Sequence, residues 1–245
     1  MRLIRAYVDA PLAVGDRIAL PADAAAHLVR VLRLEAGAAC TLFNGDGRDC
    51  DGRIVVASKR EVLVEIIGTH EVHNESPLRV TLLQGIARGE KMDLIVQKAT
   101  ELGVQAIVPM ISERSEVKLD AERAQKRHAH WRGVAIAACE QSGRTRIPEL
   151  TAPEPLLSAI AAVASDALKL TLHPEGQRAV ANLSIDHTTG LVLAIGPEGG
   201  WSPRDRQVLQ GAGFIGLRLG PRILRTETAG LAAIAALQSR FGDLG

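Results

Sequence analysis

Aromatic residues and cysteine are scarce in this sequence. Phe, Trp and Tyr make up 2% of the 245 residues, which argues against the aromatic stacking platforms on which single-strand binders hold bases. The cysteines at positions 40, 50 and 139 fit neither a disulfide framework nor the spacing of a zinc site. Such a sparse, odd set favours a reducing compartment, so we expect a cytoplasmic protein without a metal site.

Long apolar runs and an excess of charge of one sign are missing as well. Residues 156–164 form the longest apolar candidate, about half of the roughly 20 residues that span a membrane, and residues 1–7 lack the apolar run of a signal peptide. Lys and Arg number 29 and Asp and Glu 28, so the net charge is +1. Binding to nucleic acid would therefore depend on local basic patches. With 47% hydrophobic residues, the chain has the composition of a globular protein.

The first 70 or so residues have the pattern of a small β domain. The turn sequence at 44–47 (NGDG) separates two short apolar segments, which is typical of a hairpin. One short helix is predicted over residues 24–33, with Asp23 as its N-cap. The polar stretch 73–77 then resembles a linker. These features predict a small barrel or sandwich at residues 1–72.

Strands and helices alternate from residue 78 onwards. Strands are predicted at 78–83, 106–110, 168–172, 191–195 and 214–219, and a long helix at 121–141. Ser202, Pro203 and Asp205 form a helix start with a capping box, and Thr226 is predicted to cap the last helix. This order predicts an α/β domain with a mostly parallel sheet over residues 73–245.

Three of these strands end in segments suited to a ligand. The strand at 191–195 is followed by residues 196–200 (GPEGG), the strand at 214–219 by Gly220-Pro221, and the strand at 168–172 by His173. Because ligands of open α/β sheets bind beyond the carboxyl ends of the strands, we expect these segments to form one pocket. The alternative for each is a plain connecting turn. Residues 211–216 match G-x-G-x-x-G, but they follow a helix and lead into a strand, so we interpret them as a helix end.

A basic stretch runs from Arg123 to Arg146. It contains several Lys and Arg residues but a single acidic residue, Glu140, so it could bind phosphates. A solvated helix face accounts for the same charges equally well.

Several motifs together resemble one known family. They are residues 88–92 (RGEKM), 97–103 (QKATELG), 112–115 (SERS), 140–144 (EQSGR), 196–200 (GPEGG) and 219–229 (LGPRILRTETA). Residues 27–33 (HLVRVLR) and 42–47 (LFNGDG) resemble the N-terminal domain of the same family. The resemblance spans nearly the whole chain and is to the ribosomal RNA small subunit methyltransferase E family, within the knotted SPOUT superfamily.

The resemblance implies a fold and an activity. The fold would be a SPOUT-type α/β domain with a trefoil knot, preceded by a PUA-like β-barrel that binds RNA. The protein would act as a homodimer on the small ribosomal subunit, transferring the methyl group of S-adenosylmethionine to N3 of a uridine in the decoding region of 16S rRNA. A sulfonium is already a strong electrophile, so no metal would be needed. The residues implied to bind the cofactor are Leu172, His173, Ile195, Gly196, Pro197, Gly199, Leu219, Gly220, Leu224, Thr226 and Ala229.

Uracil N3 is a poor nucleophile until its proton leaves, and the resulting anion spreads onto two carbonyl oxygens. We therefore expect Arg222 or Arg225 to face those oxygens, with Arg222 preferred because it lies in the loop, and Glu198 or Glu227 to receive the proton. The residues expected to contact RNA are Arg2, Arg5, Arg30, Arg33, Arg88, Arg127 and Arg144. Two alternatives stay open: a knotted methyltransferase that acts on tRNA, and a non-catalytic RNA-binding assembly factor.

Overall fold

The computed structural model describes residues 4–26, 28–29, 32–58, 61–117, 120–186 and 188–245. The chain divides into two compact units. The first contains the chain up to Glu75 together with Ile136–Ile147, and the second contains Ser76–Ala135 and Pro148–Gly245. The predicted border after residue 72 falls close to this division, but no pattern in the sequence indicates that residues 136–147 belong to the first unit.

The first unit is built on a five-stranded sheet. Its strands are β1 (Arg5–Tyr7), β2 (Arg17–Ala19), β3 (Ala39–Phe43), β4 (Arg48–Ala57) and β5 (Val62–Glu71). Their order in the sheet is β1-β3-β4-β5-β2. The predicted turn at 44–47 joins β3 to β4, which pair antiparallel. The buried side chains of Leu42, Ile54, Val64 and Ile66 lie in its hydrophobic core. A small β-rich unit at the start of the chain is therefore confirmed.

The short helix of this unit, α1, spans Ala22–Ala26 and corrects a prediction. The Ala25 N–H donates to the Pro21 carbonyl (2.8 Å), so the helix begins before Asp23, which cannot be its N-cap. Residues 27, 30 and 31 of the predicted helix lie outside the described part of the chain.

The second unit contains a larger sheet in which the strand pairings are parallel. Its strands are β6 (Val80–Gly85), β7 (Ala106–Ile111), β8 (Glu149–Leu150), β9 (Glu154–Pro155), β10 (Leu168–Leu172), β11 (Arg178–Ala179), β12 (Leu191–Ile195) and β13 (Ile215–Arg218). Their order is β11-β13-β10-β12-β6-β7-β8, with β9 also paired to β7. The predicted α/β class with a parallel sheet is confirmed. The trefoil knot stays a prediction.

Among the residues described from Ser76 onwards, five α-helices follow or connect these strands. They are α2 (Glu90–Glu101), α3 (Ala121–Ser142), α4 (Leu156–Ala162), α5 (Pro203–Gly211) and α6 (Thr226–Phe241), and Val180–Asn182 forms one turn of 3-10 helix. At the start of α5, the Ser202 side chain accepts from the Asp205 N–H and the Asp205 carboxylate accepts from the Ser202 N–H (both 3.0 Å). The predicted capping box is confirmed. Residues 211–216 form the end of α5 and the turn into β13, as interpreted from the sequence.

The start of α6 differs from its prediction. Arg225 is the N-cap residue and makes no side-chain capping bond, while Thr226 is already helical. Thr226 does not cap the helix because its hydroxyl is bound elsewhere, as described below.

Candidate active site

The three predicted loops lie together at the carboxyl ends of neighbouring strands of the parallel sheet. Strands β13, β10 and β12 are neighbours in the sheet, and a cavity of about 470 Å³ lies beyond their carboxyl ends. Leu172, Gly196 and Gly220, one from each strand end, all line this cavity. The prediction that three strand ends form one pocket is confirmed.

Most of the predicted site residues line the cavity. They are Leu172, His173, Ile195, Gly196, Pro197, Glu198, Leu219, Gly220, Arg222, Leu224, Arg225, Thr226, Glu227 and Ala229. Gly199 is the exception. It is absent from the lining, and its carbonyl instead accepts a hydrogen bond from Arg114 Nη1 (3.2 Å).

Sequence reasoning missed several lining residues. They are Lys91, Pro174, Gly200, Trp201, Arg206, Leu217 and Ile223. Lys91 is the second residue of α2, which follows β6. Because β6 lies next to β12 in the sheet, the start of this helix reaches the same edge. The signal that could have found Lys91 is its place in the RGEKM motif, directly after a fourth strand end.

Two glycines allow the loops to adopt this arrangement. A Cβ atom on Gly85, at the end of β6, would lie 2.6 Å from the backbone nitrogen of Pro197, so only glycine permits the close approach of these segments. Gly220 has φ +99°, a left-handed conformation that other residues rarely adopt. The loop after β12 is thereby held against β6, and the loop after β13 can turn over the cavity.

A buried hydrogen-bond chain fixes the start of α6. The Thr226 hydroxyl donates to the Gly196 carbonyl (2.6 Å) and accepts from Gln84 Nε2 (3.1 Å). Gln84 belongs to β6, Gly196 follows β12 and Thr226 opens α6. One hydroxyl therefore links three elements around the cavity, and this use explains why it does not cap α6.

Trp201 forms another buried part of the wall. Its Nε1 donates to the Thr171 hydroxyl on β10 (3.0 Å), and its ring would lie 3.3 Å from a Cβ atom on Gly196. The indole therefore fixes the glycine-rich loop to the neighbouring strand.

Two carboxylates and one ammonium meet at the cavity wall. Lys91 Nζ lies 3.4 Å from Glu198 Oε1 and 3.7 Å from Glu227 Oε2. Glu198 Oε1 also accepts from the Arg88 backbone N–H (3.0 Å). Burial alone would raise the pKa of Glu198, but the backbone N–H groups of Arg88 and Glu198 and the Lys91 ammonium together bring it below its ordinary value. Glu198 is thus held in its ionised form.

Three arginines line the cavity on its exposed side. Arg206, Arg222 and Arg225 are exposed, and their side chains form no ion pair within the described part of the chain. Ile223, between two of them, is 85% exposed. The opening of the cavity therefore offers three guanidinium groups to an anionic or carbonyl-rich ligand.

The predicted RNA-contacting arginines fall into three groups. Arg2 and Arg30 lie outside the described residues. Arg5 and Arg144 are only 6% and 4% exposed and form ion pairs with Asp49 and Glu75, respectively. Buried and paired guanidinium groups cannot reach a nucleic acid, so the structure corrects the prediction for these two.

Three of these arginines keep polar surface available. Arg33 is exposed and has φ +55°. Arg88 is exposed and pairs with Glu116. Arg127 is half-buried, with its guanidinium 6.0 Å from the centre of the Trp131 ring.

The described residues bring together no group of three His, Cys, Asp or Glu side chains that could hold a metal ion. No helix in the described part of the chain has the length and apolar character needed to cross a membrane.

Two family models match the chain. An RNA methyltransferase domain matches residues 74–238, and an RNA methyltransferase PUA domain matches residues 20–67. These matches, together with the fold, place the chain in the class of RNA methyltransferases that have an N-terminal PUA-like domain.

Named relatives narrow the class. Ribosomal RNA small subunit methyltransferase E from Buchnera aphidicola is 33% identical over 99% of this chain and 98% of its own length. The enzyme of that name from Neisseria gonorrhoeae, solved bound to S-adenosyl methionine, has 40% identity and a TM-score of 0.91 over 99% of this chain and 100% of its own. A structure from Legionella pneumophila in complex with the cofactor SAM has 41% identity and a TM-score of 0.95, covering 100% of both chains. The chain belongs to the ribosomal RNA small subunit methyltransferase E family, as its motifs predicted.

Proposed function

We propose that this protein transfers the methyl group of S-adenosylmethionine to N3 of a uridine in 16S rRNA, within the small ribosomal subunit. The observation that supports this most directly is the single cavity at the ends of β10, β12 and β13, which combines an apolar wall, a cationic opening and two carboxylates. Membership of the family gives the substrate class.

The cavity residues fit S-adenosylmethionine. The cavity volume of about 470 Å³ lies within the range of about 300–1,000 Å³ that is usual for pockets of drug-sized ligands. Leu172, Ile195, Leu219 and Leu224 provide an apolar surface suited to an adenine ring, and the glycine-rich loops bring backbone polar groups close to it. When bound, the cofactor supplies a methyl group on a positively charged sulfonium.

The chain's own residues would then activate the uridine. Loss of the N3 proton leaves a negative charge on the two uracil carbonyl oxygens, which a guanidinium can stabilise in a water-poor site. Arg222 and Arg225 line the cavity and would supply this charge, and we assign the main role to Arg222 because it lies in the loop. Among the described residues, Glu198 and Glu227 are the acids that line the cavity, so one of them would take the proton.

Recognition of the RNA would use both units. We propose that Arg33 in the first unit, and Arg88 and Arg127 in the second, contact phosphates, because their side chains are exposed or half-buried. The uridine itself would be selected within the folded subunit, since proteins often recognise RNA by its shape. We also propose the knotted chain path, the homodimer and the cytoplasmic location that the family resemblance implies.

Mass mapping of 16S rRNA tests the proposal. Cells that lack the protein are expected to lack one methyl group on a single uridine, and the purified protein with S-adenosylmethionine is expected to restore it on isolated small subunits. Fragmentation of the methylated nucleotide distinguishes base N3 from a ribose hydroxyl. Methylation found on tRNA instead would overturn the substrate.

Calorimetry with S-adenosylmethionine provides a separate test of the enzyme class. A methyltransferase binds the cofactor in the absence of RNA, whereas an assembly factor without catalytic activity has no reason to bind it. Absence of heat and of a shift in the unfolding temperature would contradict the proposed activity.

A further inference from the structure

Lys91 lies between the carboxylates of Glu198 and Glu227, whose roles at the cavity differ. Lys91 lies at the start of α2, Glu198 in the loop after β12 and Glu227 in the first turn of α6. Its Nζ is 3.4 Å from Glu198 Oε1 and 3.7 Å from Glu227 Oε2. Although the two acids share one cation, their other surroundings differ.

Glu198 is already occupied by structural contacts. Its Oε1 accepts from the Arg88 backbone N–H (3.0 Å) as well as from Lys91, and Arg88 directly precedes the N-cap of α2, Gly89. The carboxylate therefore fixes the glycine-rich loop to the start of α2. A carboxylate that several donors stabilise in its charged form is a weak proton acceptor.

Glu227 has a carboxylate oxygen that is not used in this way. Its Oε2 is buried and accepts no hydrogen bond from the described residues, while its side chain, 16% exposed, lines the cavity. The Lys91 ammonium lies 0.3 Å farther from this oxygen than from Glu198 Oε1, taking the two distances 3.7 and 3.4 Å. The Glu227 carboxylate is therefore less committed to structural contacts than that of Glu198, and its exposed part at the cavity is available to a substrate proton, as a general base requires.

We propose that Glu227 receives the N3 proton of the uridine and that Lys91 is the positioning residue that holds its carboxylate at the cavity, whereas Glu198 anchors the glycine-rich loop. This inference rests on the proposed function. The N3–H bond breaks and an O–H bond forms on Glu227, while N3 bonds to the methyl carbon. The carbon–sulfur bond breaks with its electron pair remaining on sulfur, so one carboxylate charge and one sulfonium charge are neutralised together.

Other charged or titratable side chains line the same cavity as Glu227. They are Lys91 from α2, His173 after β10, Glu198 after β12, Arg206 on α5, and Arg222 and Arg225 after β13. Among the described residues, Lys91 forms an ion pair with Glu227. Lys91 is therefore the residue to change when the environment of this carboxylate is tested.

The two acids provide a matched pair of variants, Glu227→Gln and Glu198→Gln. Single-turnover methyl transfer on small ribosomal subunits is measured for both, together with calorimetry of S-adenosylmethionine. Glu227→Gln is expected to lower the rate constant by about 10²–10⁴-fold, the usual contribution of a general base, with the dissociation constant for the cofactor changed by less than about threefold. Glu198→Gln is expected to weaken cofactor binding more than Glu227→Gln does and to lower the rate constant less.

Replacing Lys91 tests its positioning role. Without the ammonium, the ion pair that holds the Glu227 carboxylate at the cavity is lost, so Lys91→Gln is expected to lower the single-turnover rate constant for methyl transfer. Lys91→Arg keeps the charge and is expected to restore most of the rate constant. A wild-type rate constant in Lys91→Gln, or no recovery in Lys91→Arg, would overturn the role given to Lys91.

Failure of the inference is distinguishable from failure of the proposed function. The proposed function fails in the wild-type protein, by transfer to another atom or by lack of cofactor binding. The inference is contradicted if Glu198→Gln lowers the single-turnover rate constant as much as Glu227→Gln does.

Discussion

Two arginines of the first unit, Arg5 and Arg144, and two at the cavity of the second unit, Arg222 and Arg225, have opposite environments. Arg5 and Arg144 are buried, and each forms an ion pair with a carboxylate, Asp49 or Glu75. Arg222 and Arg225 are exposed at the cavity and form no ion pair with a described residue. An arginine stabilises the fold where its charge is compensated inside the protein, and it is available for a ligand where its charge is not.

The largest effect is expected for the buried ion pair. Arg5→Met leaves the Asp49 charge buried without its partner, which typically costs about 3–5 kcal/mol of folding free energy. Chemical denaturation measures this loss. In the control, Arg5→Met with Asp49→Leu removes both charges and should recover most of the stability. If the single variant were as stable as the wild type but bound RNA more weakly, the comparison would be reversed.

A smaller effect, on catalysis rather than on folding, is expected at the cavity. Arg222→Ala removes a guanidinium that stabilises the uracil anion, and such groups are typically worth about 3 kcal/mol, or roughly a hundredfold in rate. Single-turnover methylation measures the loss, and thermal unfolding is expected to stay at the wild-type temperature. Activity near wild type would remove Arg222 from this role.

The hydroxyl of Thr226 takes part both in the buried hydrogen bonds of the fold and in the wall of the cavity. Its loss is therefore expected to have an intermediate effect on the free energy of unfolding and on cofactor binding. Thr226→Val leaves the Gly196 carbonyl without this donor and Gln84 without this acceptor. Loss of buried hydrogen-bond partners costs about 1–3 kcal/mol. Denaturation and calorimetry with S-adenosylmethionine should both show the change, and Thr226→Ser, which keeps the hydroxyl, should show neither. Equal behaviour of the two variants would argue against the hydrogen-bond chain.

The smallest effect concerns pH. Because the pKa of Glu198 is lowered in the folded protein, its ionised form stabilises the fold above the ordinary pKa of 4.5. This contribution is lost as the pH falls through the lowered pKa. The difference in unfolding free energy between wild type and Glu198→Gln is therefore expected to be steady near neutral pH and to shrink in acid. A difference that stays constant through acid pH would show that the carboxylate charge does not stabilise the fold.

Local patterns predicted the elements that depend on local interactions. The strands at 168–172 and 191–195 and the capping box of α5 agree with the structure to the residue. The start of α6 was predicted less well, since Thr226 looks like a cap by residue type. Its hydroxyl is used by Gly196 and Gln84, which are 30 and 142 residues away in the chain.

The sequence by itself determined the alternation of strands and helices, the motifs of the family and the loops that follow three strands. Apolar periodicity, turn residues and capping residues act over a few positions, so they can be interpreted without knowing what is distant in the chain. Tertiary structure alone decided that Arg5 and Arg144 are buried, that Lys91 reaches the cavity and that two acids share its charge. Burial and pairing of charges depend on residues that are far apart in sequence and become neighbours only when the sheet assembles.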